Sequence, residues 1–167
     1  MKMKRHAFTL IELLLVIALL AILALLMMGN FNTSLKRGRD AQRKNDLSAL
    51  QKALESYYED NKTYPTSTDI FNKELSYVSF GTNKTTYMIK TPQDPISKYT
   101  YIYAPEPPVN GKSSYYYLYS YLENSLDAGS GVSQTGYSTG AKCDSAKTTL
   151  NCLYYVGSSN ATPLTPN

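Results

Sequence analysis

The sequence predicts an α+β protein in which a long N-terminal helix, apolar in its first half, packs against a small antiparallel β-sheet. Three observations support this class. A largely apolar run lies near the start of the chain, apolar residues then recur at helical spacing, and two later segments alternate with a period of two. The 167 residues leave room for one modest domain beyond the apolar run.

The apolar run extends from Phe8 to Met28 and contains two polar residues, Thr9 and Glu12. As a helix these 21 residues would be about 31 Å long, close to the thickness of a bilayer's hydrocarbon core. A cleavable secretory signal would end in a small-x-small site, and the sequence LLMMGNFNTS offers no good one. A plain membrane anchor leaves Glu12 unexplained, because an unpaired carboxylate in lipid costs several kcal/mol.

The helix is expected to continue past the apolar run to about Asn61. Leu47, Leu50 and Leu54 recur at spacings of three and four, which predicts one apolar stripe on an otherwise wet helix. The sequence EDNKTYPT then supplies residues that end helices. An amphipathic helix of this kind needs a partner layer to cover its stripe.

The second half of the chain is expected to supply that layer. In KYTYIYAPEPPVNGKSSYYYLYSYLEN, tyrosines alternate with other residues on both sides of a loop that contains Pro and Gly. A third strand is predicted in CLYYVG, and short strands in YVSF and TYMIK. Tyrosine suits a pleated, partly wet surface, and an aromatic platform for glycan, host-surface or subunit contact is the functional alternative.

The sequence offers no arrangement for enzymatic chemistry. The sole histidine, His6, lies ahead of the apolar run, and no phosphate-cradling glycine loop is present. The carboxylates beyond the helix start show no spacing typical of a catalytic acid and base. Near the helix end, a solvated face is expected for Glu55, Glu59 and Asp60. Predicted loops hold Glu106, Glu123 and Asp127. We expect a structural protein without a cofactor.

Cys143 and Cys152 are the two cysteines of the chain. A disulfide between them would close a short loop and contribute about 2 to 3 kcal/mol by loop-closure entropy. Metal binding is the rival interpretation, and it is weak because two thiols without a nearby histidine fall short of a four-ligand site. No metal is expected.

The N-terminal sequence KRHAFTLIELLLVIALLAIL resembles the start of type IV pilins and of the related pseudopilins of type II secretion. In that family a short basic leader is removed before a Phe-Thr-Leu-Ile-Glu sequence, and the new N-terminal residue is usually methylated. The resemblance covers Arg5 to Leu26 and departs from the family at Ala7, where glycine is usual. It implies cleavage between Ala7 and Phe8 and N-methylation of Phe8.

The resemblance also assigns roles within the helix. Glu12 would become the fifth residue of the processed chain, and in the family that glutamate is held to pair with the N-terminal amine of a neighbouring subunit. An opposite charge at close range makes a carboxylate tolerable in a low-dielectric setting. Thr9 is assigned to the same assembly site. Gly29 marks either a simple helix irregularity or a segment that melts on filament packing, as in pilins.

The pilin-like fold implied by the resemblance divides the chain into five parts. These are a leader at 1–7, a transmembrane and filament-core helix at 8–29, its amphipathic continuation at 30–62, an extracytoplasmic α+β domain at 63–157 and a flexible tail at 158–167. A disulfide between Cys143 and Cys152 also fits the family. The precursor would cross the cytoplasmic membrane once and then join an extracellular or periplasmic filament.

The resemblance implies specific partners and a choice of filament. The partners are a prepilin peptidase, identical or related subunits, an assembly ATPase and an inner-membrane platform. A type II secretion major pseudopilin shares DNKTYP and QDP with this chain, but it typically has a Trp-Gly turn and an acidic, glycine-rich calcium loop. This chain has no tryptophan, and ENSLDAGSG holds two acids, few for calcium. A type IV pilus-like filament is therefore favoured over a secretion pseudopilus.

Two further alternatives concern what the chain binds. Removing the three basic residues of the leader lowers the formal net charge from +4 to +1, and KRGRDAQRK remains as a basic cluster. That cluster is expected to contact lipid head groups or acidic neighbours, with nucleic acid in a DNA-uptake pilin as the alternative. A membrane-anchored extracytoplasmic binding module is the alternative from a different class, and it would keep its N-terminus intact.

Overall fold

The structure is a computed structural model that describes residues 8–78, 84–106 and 111–166, without the side chains of 26–30. The predicted leader, including Ala7, lies outside the described residues. The chain divides into two compact units, Met1–Gly38 and Arg39–Asn167. One helix, α1, extends over Leu10–Asn61 and contributes to both. Gly29 lies within this helix.

The apolar part of α1 lies in the N-terminal unit. Its large apolar side chains from Phe8 to Leu25 are between 44% and 81% exposed. Within the described residues, no helix combines the length and the hydropathy that crossing a membrane would require.

The second half of α1 carries the predicted apolar stripe. Leu47, Leu50 and Leu54 are completely buried, which confirms the stripe. The helix ends at Asn61, as expected, and the next residue, Lys62, adopts the left-handed conformation with φ of 54°. The Lys62 N–H donates to the Tyr58 carbonyl at 2.7 Å, so this carbonyl in the last turn of α1 has a hydrogen-bond partner.

Five strands form two antiparallel sheets. One sheet has two strands, β1 (Leu75–Val78) and β2 (Lys84–Met88). The other has three strands in the order β3-β4-β5: β3 (Ile102–Pro105), β4 (Tyr116–Ser120) and β5 (Tyr154–Gly157). Each strand overlaps a segment predicted to be β, although β1 and β2 both begin two residues before the predicted segments. A long helix packed with small antiparallel sheets confirms the predicted α+β class.

Tyrosine rings join the three-stranded sheet to α1. Tyr103, Tyr116 and Leu118 share one core with the helix stripe. The Tyr116 hydroxyl donates to the Glu55 carboxylate at 3.2 Å, and the Tyr64 hydroxyl donates to the same carboxylate at 2.8 Å. The expectation that Glu55 lies on a merely solvated face was therefore wrong. A buried tyrosine ring needs a partner for its polar tip, and the helix carboxylates supply it.

The opposite face of the sheet has a core of its own. Tyr119 and Tyr137 pack there with Cys143 and Cys152, which are fully buried and joined in the expected disulfide. The Asp144 carboxylate accepts bonds from three backbone N–H groups inside the disulfide loop, and these hold its pKa well below the usual range. The loop is therefore ordered by both a covalent bond and the hydrogen bonds to the Asp144 carboxylate.

The C-terminal segment 158–166 was expected to belong to a flexible tail, and it lies instead against this outer face. The Tyr117 hydroxyl donates to the Thr162 carbonyl at 2.8 Å, and the Leu164 N–H donates to the Tyr155 hydroxyl at 3.1 Å. The polar composition of this segment indicated a tail. Hydrogen bonds with the half-buried strand tyrosines Tyr117 and Tyr155, which local composition does not reveal, hold the segment in place.

Candidate functional site

Thr9 and Glu12 cap the N-terminal end of α1. One oxygen of the Glu12 carboxylate accepts bonds from the Thr9 backbone N–H at 2.9 Å and from the Thr9 hydroxyl at 2.8 Å. The Thr9 hydroxyl oxygen accepts a bond from the Glu12 backbone N–H at 3.3 Å. This reciprocal pair is a capping box, which satisfies N–H groups that would otherwise have no partner at the start of a helix.

The two polar residues predicted to act in assembly thus lie together in the structure. The capping box itself was not predicted, although Thr-x-x-Glu before an apolar run is its usual signal. Glu12 therefore has a partner within its own chain, and Phe8, 81% exposed, lies just before it.

A second polar site, the buried charge cluster, joins α1 to two loops of the C-terminal unit. It consists of Arg39, Asp40, Arg43, Asp94 and Glu123. Arg43 is fully buried and donates to both oxygens of Asp94, at 2.7 and 3.0 Å. Its remaining terminal nitrogen donates to Asp40 at 2.7 Å and to Glu123 at 2.9 Å. One guanidinium thus binds three carboxylates.

The rest of the cluster completes these bonds. Arg39 donates to both oxygens of Glu123, at 2.7 and 2.6 Å. Asp40 accepts bonds from the backbone N–H groups of Glu123 and Asn124, at 3.0 and 2.8 Å. The loop after β4 is therefore fixed to the helix through both its side chains and its backbone.

The pKa shifts in the cluster follow from its geometry. Burial disfavours the charged form of Arg43, but the bonds to Asp94 and Glu123 outweigh it and keep the Arg43 pKa above its ordinary value. The bond from Arg39 lowers the pKa of the Glu123 carboxyl, with Arg43 adding to the effect. Arg39, Arg43 and Glu123 are therefore each stabilised in the ionised form by neighbours of opposite sign.

This cluster corrects the expectation that KRGRDAQRK contacts lipid head groups or acidic neighbours in a filament. Arg39 and Arg43 bind carboxylates of the globular unit, and Lys44 binds Asp127 with its nitrogen 2.6 Å from a carboxylate oxygen. The partners Asp94 and Glu123 are 51 and 80 residues from Arg43, beyond the reach of any local pattern. The sequence did contain one indication that Arg43 is buried, because Arg43 is four residues before Leu47 and so continues the buried stripe.

The same contacts account for both acids of ENSLDAGSG. Glu123 is held by two arginines and Asp127 by Lys44, so cationic side chains of α1 already neutralise this loop. The Asp127 carboxylate also accepts a bond from the Gly129 N–H at 3.1 Å. The loop is thus ordered by the helix beside it.

Two family models match the chain. The prokaryotic N-terminal methylation motif matches residues 2–28, and type II secretion system (T2SS), protein G matches residues 30–135, more than half of the chain. The chain belongs to the protein G family of type II secretion. This places it among type IV pilins and pseudopilins, which are structural subunits and not enzymes. The match to protein G ends before the disulfide loop.

Individual relatives agree with the family models. Type II secretion system core protein G of Escherichia coli (strain K12) is 30% identical over 97 residues, which cover 55% of this chain and 67% of that protein. Type II secretion system core protein G of Aeromonas hydrophila is 33% identical over 104 residues, 56% of this chain and 69% of that protein. No solved structure matches the chain.

Proposed function

We propose that this protein G family member is cut before Phe8 and polymerises through α1 as the structural subunit of a type IV pilus-like filament. The observation that carries the proposal is an apolar helix, exposed from Phe8 to Leu25, whose one carboxylate lies at its capped start. The match to the methylation motif over residues 2–28 supports processing at this place despite Ala7. The substrate of the processing step is the chain itself.

In the proposed mechanism, a prepilin peptidase hydrolyses the bond between Ala7 and Phe8 and leaves a free amine on Phe8, which is then methylated. In the membrane-anchored precursor the capping box with Thr9 stabilises Glu12. In the filament Glu12 pairs with the Phe8 amine of a neighbouring subunit. Lipid tails are as apolar as leucine, so helices in a membrane do not associate by removing apolar surface from water. Close packing and this charge pair favour their association instead.

The type II secretion pseudopilus is the member of this class that the comparisons favour, since residues 30–135 match protein G. The disulfide-bonded segment after residue 135 favours the surface pilus that the sequence analysis preferred. An assembly ATPase and an inner-membrane platform complete either machinery. Deletion of the gene separates the two: loss of long surface filaments in electron micrographs supports the pilus, whereas a defect confined to protein secretion supports the pseudopilus.

The pairing of Glu12 is tested by Glu12→Val. The variant should be processed at Phe8 but should yield few filaments, because the apolar helix then lacks the charge pair that sets its position. Glu59→Val is a matched control, since Glu59 is an exposed carboxylate near the other end of α1. It should leave filament yield unchanged. Normal filaments from Glu12→Val would rule out the proposed pairing.

A further inference from the structure

A cleft of about 570 Å³ opens on the globular unit, between the segment that leads into β1 and the segment that leads into β3. Four exposed side chains with amide or hydroxyl groups line it: Asn72, Gln93, Ser97 and Ser145. Among the described residues, none of these four side chains forms a hydrogen bond. The cleft therefore presents several donors and acceptors whose partners must come from outside the chain.

Aromatic surface completes the cleft. Phe71 and Tyr99 both line it and are half-buried. The Tyr99 ring is fixed by stacking on Tyr121, with 4.4 Å between the ring centroids, and by the Arg43 guanidinium 5.2 Å from its centroid. Phe71 packs against Tyr101 with centroids 5.8 Å apart. The aromatic side chains are therefore held in position before any ligand arrives, which lowers the entropy that binding would cost.

The charged side chain that lines the cleft is already neutralised. The Asp94 side chain lines the cleft but is 1% exposed and bound by Arg43. The Lys98 ammonium lies over the Tyr99 ring, 5.8 Å from its centroid. The unpartnered groups that line the cleft are thus neutral amides and hydroxyls, which both donate and accept hydrogen bonds.

We propose that this cleft binds a neutral saccharide of two or three rings. Sugar hydroxyls donate and accept as these amides and hydroxyls do, and the apolar faces of a sugar ring pack on aromatic side chains. The volume falls within the range of ligand pockets. Tyr101 and Tyr103 beside the cleft are each 2% exposed, so their backbone groups are not open to pairing with an extended peptide. The proposal does not depend on filament assembly.

The test titrates three neutral trisaccharides, maltotriose, cellotriose and chitotriose in its acetylated form, into the full chain. The protein is kept in phosphocholine micelles, because glycoside detergents would compete for the cleft. Binding is followed by the NMR shifts of the Asn72 and Gln93 side-chain amides. The double variant Gln93→Ala/Ser145→Ala removes two exposed cleft side chains. Ser125→Ala/Ser159→Ala removes two exposed hydroxyls elsewhere and serves as the matched control.

At least one trisaccharide should shift both amides, and the cleft double variant should weaken its binding about tenfold, as expected for two lost hydrogen bonds. The control double variant should bind as the wild type does. No shift with any of the three sugars, or equal affinity in the cleft variant, would overturn the proposal. Shifts of the same amides with the neutral peptide trialanine, and none with sugars, would overturn the saccharide assignment.

Discussion

Replacing Arg43 with methionine should destabilise the globular unit strongly. Methionine fills similar space but leaves the carboxylates of Asp94 and Asp40, whose side chains are 1% and 3% exposed, without their cationic partner. Removing one partner of a buried ion pair costs about 3 to 5 kcal/mol, because the remaining charge stays buried. For a domain of this size the loss corresponds to a fall in Tm of roughly 10 to 25 °C.

The measurement is denaturant unfolding of the full chain in detergent micelles, followed by the near-ultraviolet circular dichroism of its tyrosines. Lys73→Met is the matched control. It breaks the pair with Asp69, whose side chain is 74% exposed, and should cost less than about 1 kcal/mol. Adding Asp94→Asn to Arg43→Met should recover part of the loss, since one unpaired charge is removed. An Arg43→Met protein within about 1 kcal/mol of wild type would refute the reasoning.

Two further predictions use the same unfolding assay. Replacing both Cys143 and Cys152 with serine should lower the free energy of unfolding by about 2 to 3 kcal/mol, from loop-closure entropy. Dithiothreitol should lower the wild type equally and leave the variant unchanged, and a variant as stable as wild type would contradict this. Burial raises the pKa of Asp46 above its ordinary 3.8, although the Tyr101 hydroxyl donates to it at 2.8 Å. The free energy of unfolding should therefore fall as Asp46 ionises, while pH rises from 3.8 through the folded pKa. Asp46→Asn should be more stable than wild type at about pH 7 and equal to it at about pH 3, and a gain that is the same at both pH values would argue against the burial effect.

The parts of the fold that depend on local patterns were predicted well. The stripe Leu47, Leu50 and Leu54 has helical periodicity, and it is buried as expected because the period sets which side chains share a face. The helix end at Asn61 follows from local breakers in the same way. Alternating tyrosines located the strands but not their bounds. The predicted strand from Tyr99 begins as β3 at Ile102, because Tyr99 and Thr100 pair with the disulfide loop instead.

The parts that depend on distant partners were not predicted. Arg43 looked like one cation in a basic cluster, yet its three carboxylates come from α1 and from two loops far along the chain. Within the assembly site, residue types at the start of α1 identified Glu12 and Thr9, while their bonds to each other emerged from the structure. The choice between pilus and pseudopilus did not follow from the helix, because both kinds of filament share the same N-terminal chemistry.

The most direct test of the account is the intact mass and N-terminal sequence of the protein recovered from its native cell envelope. The account predicts a chain that begins at Phe8, with or without one added methyl group. A chain that still begins at Met1, in cells with an active prepilin peptidase, would contradict it. The apolar helix would then be a permanent anchor, and the proposed pairing of Glu12 with a neighbour's Phe8 amine could not form.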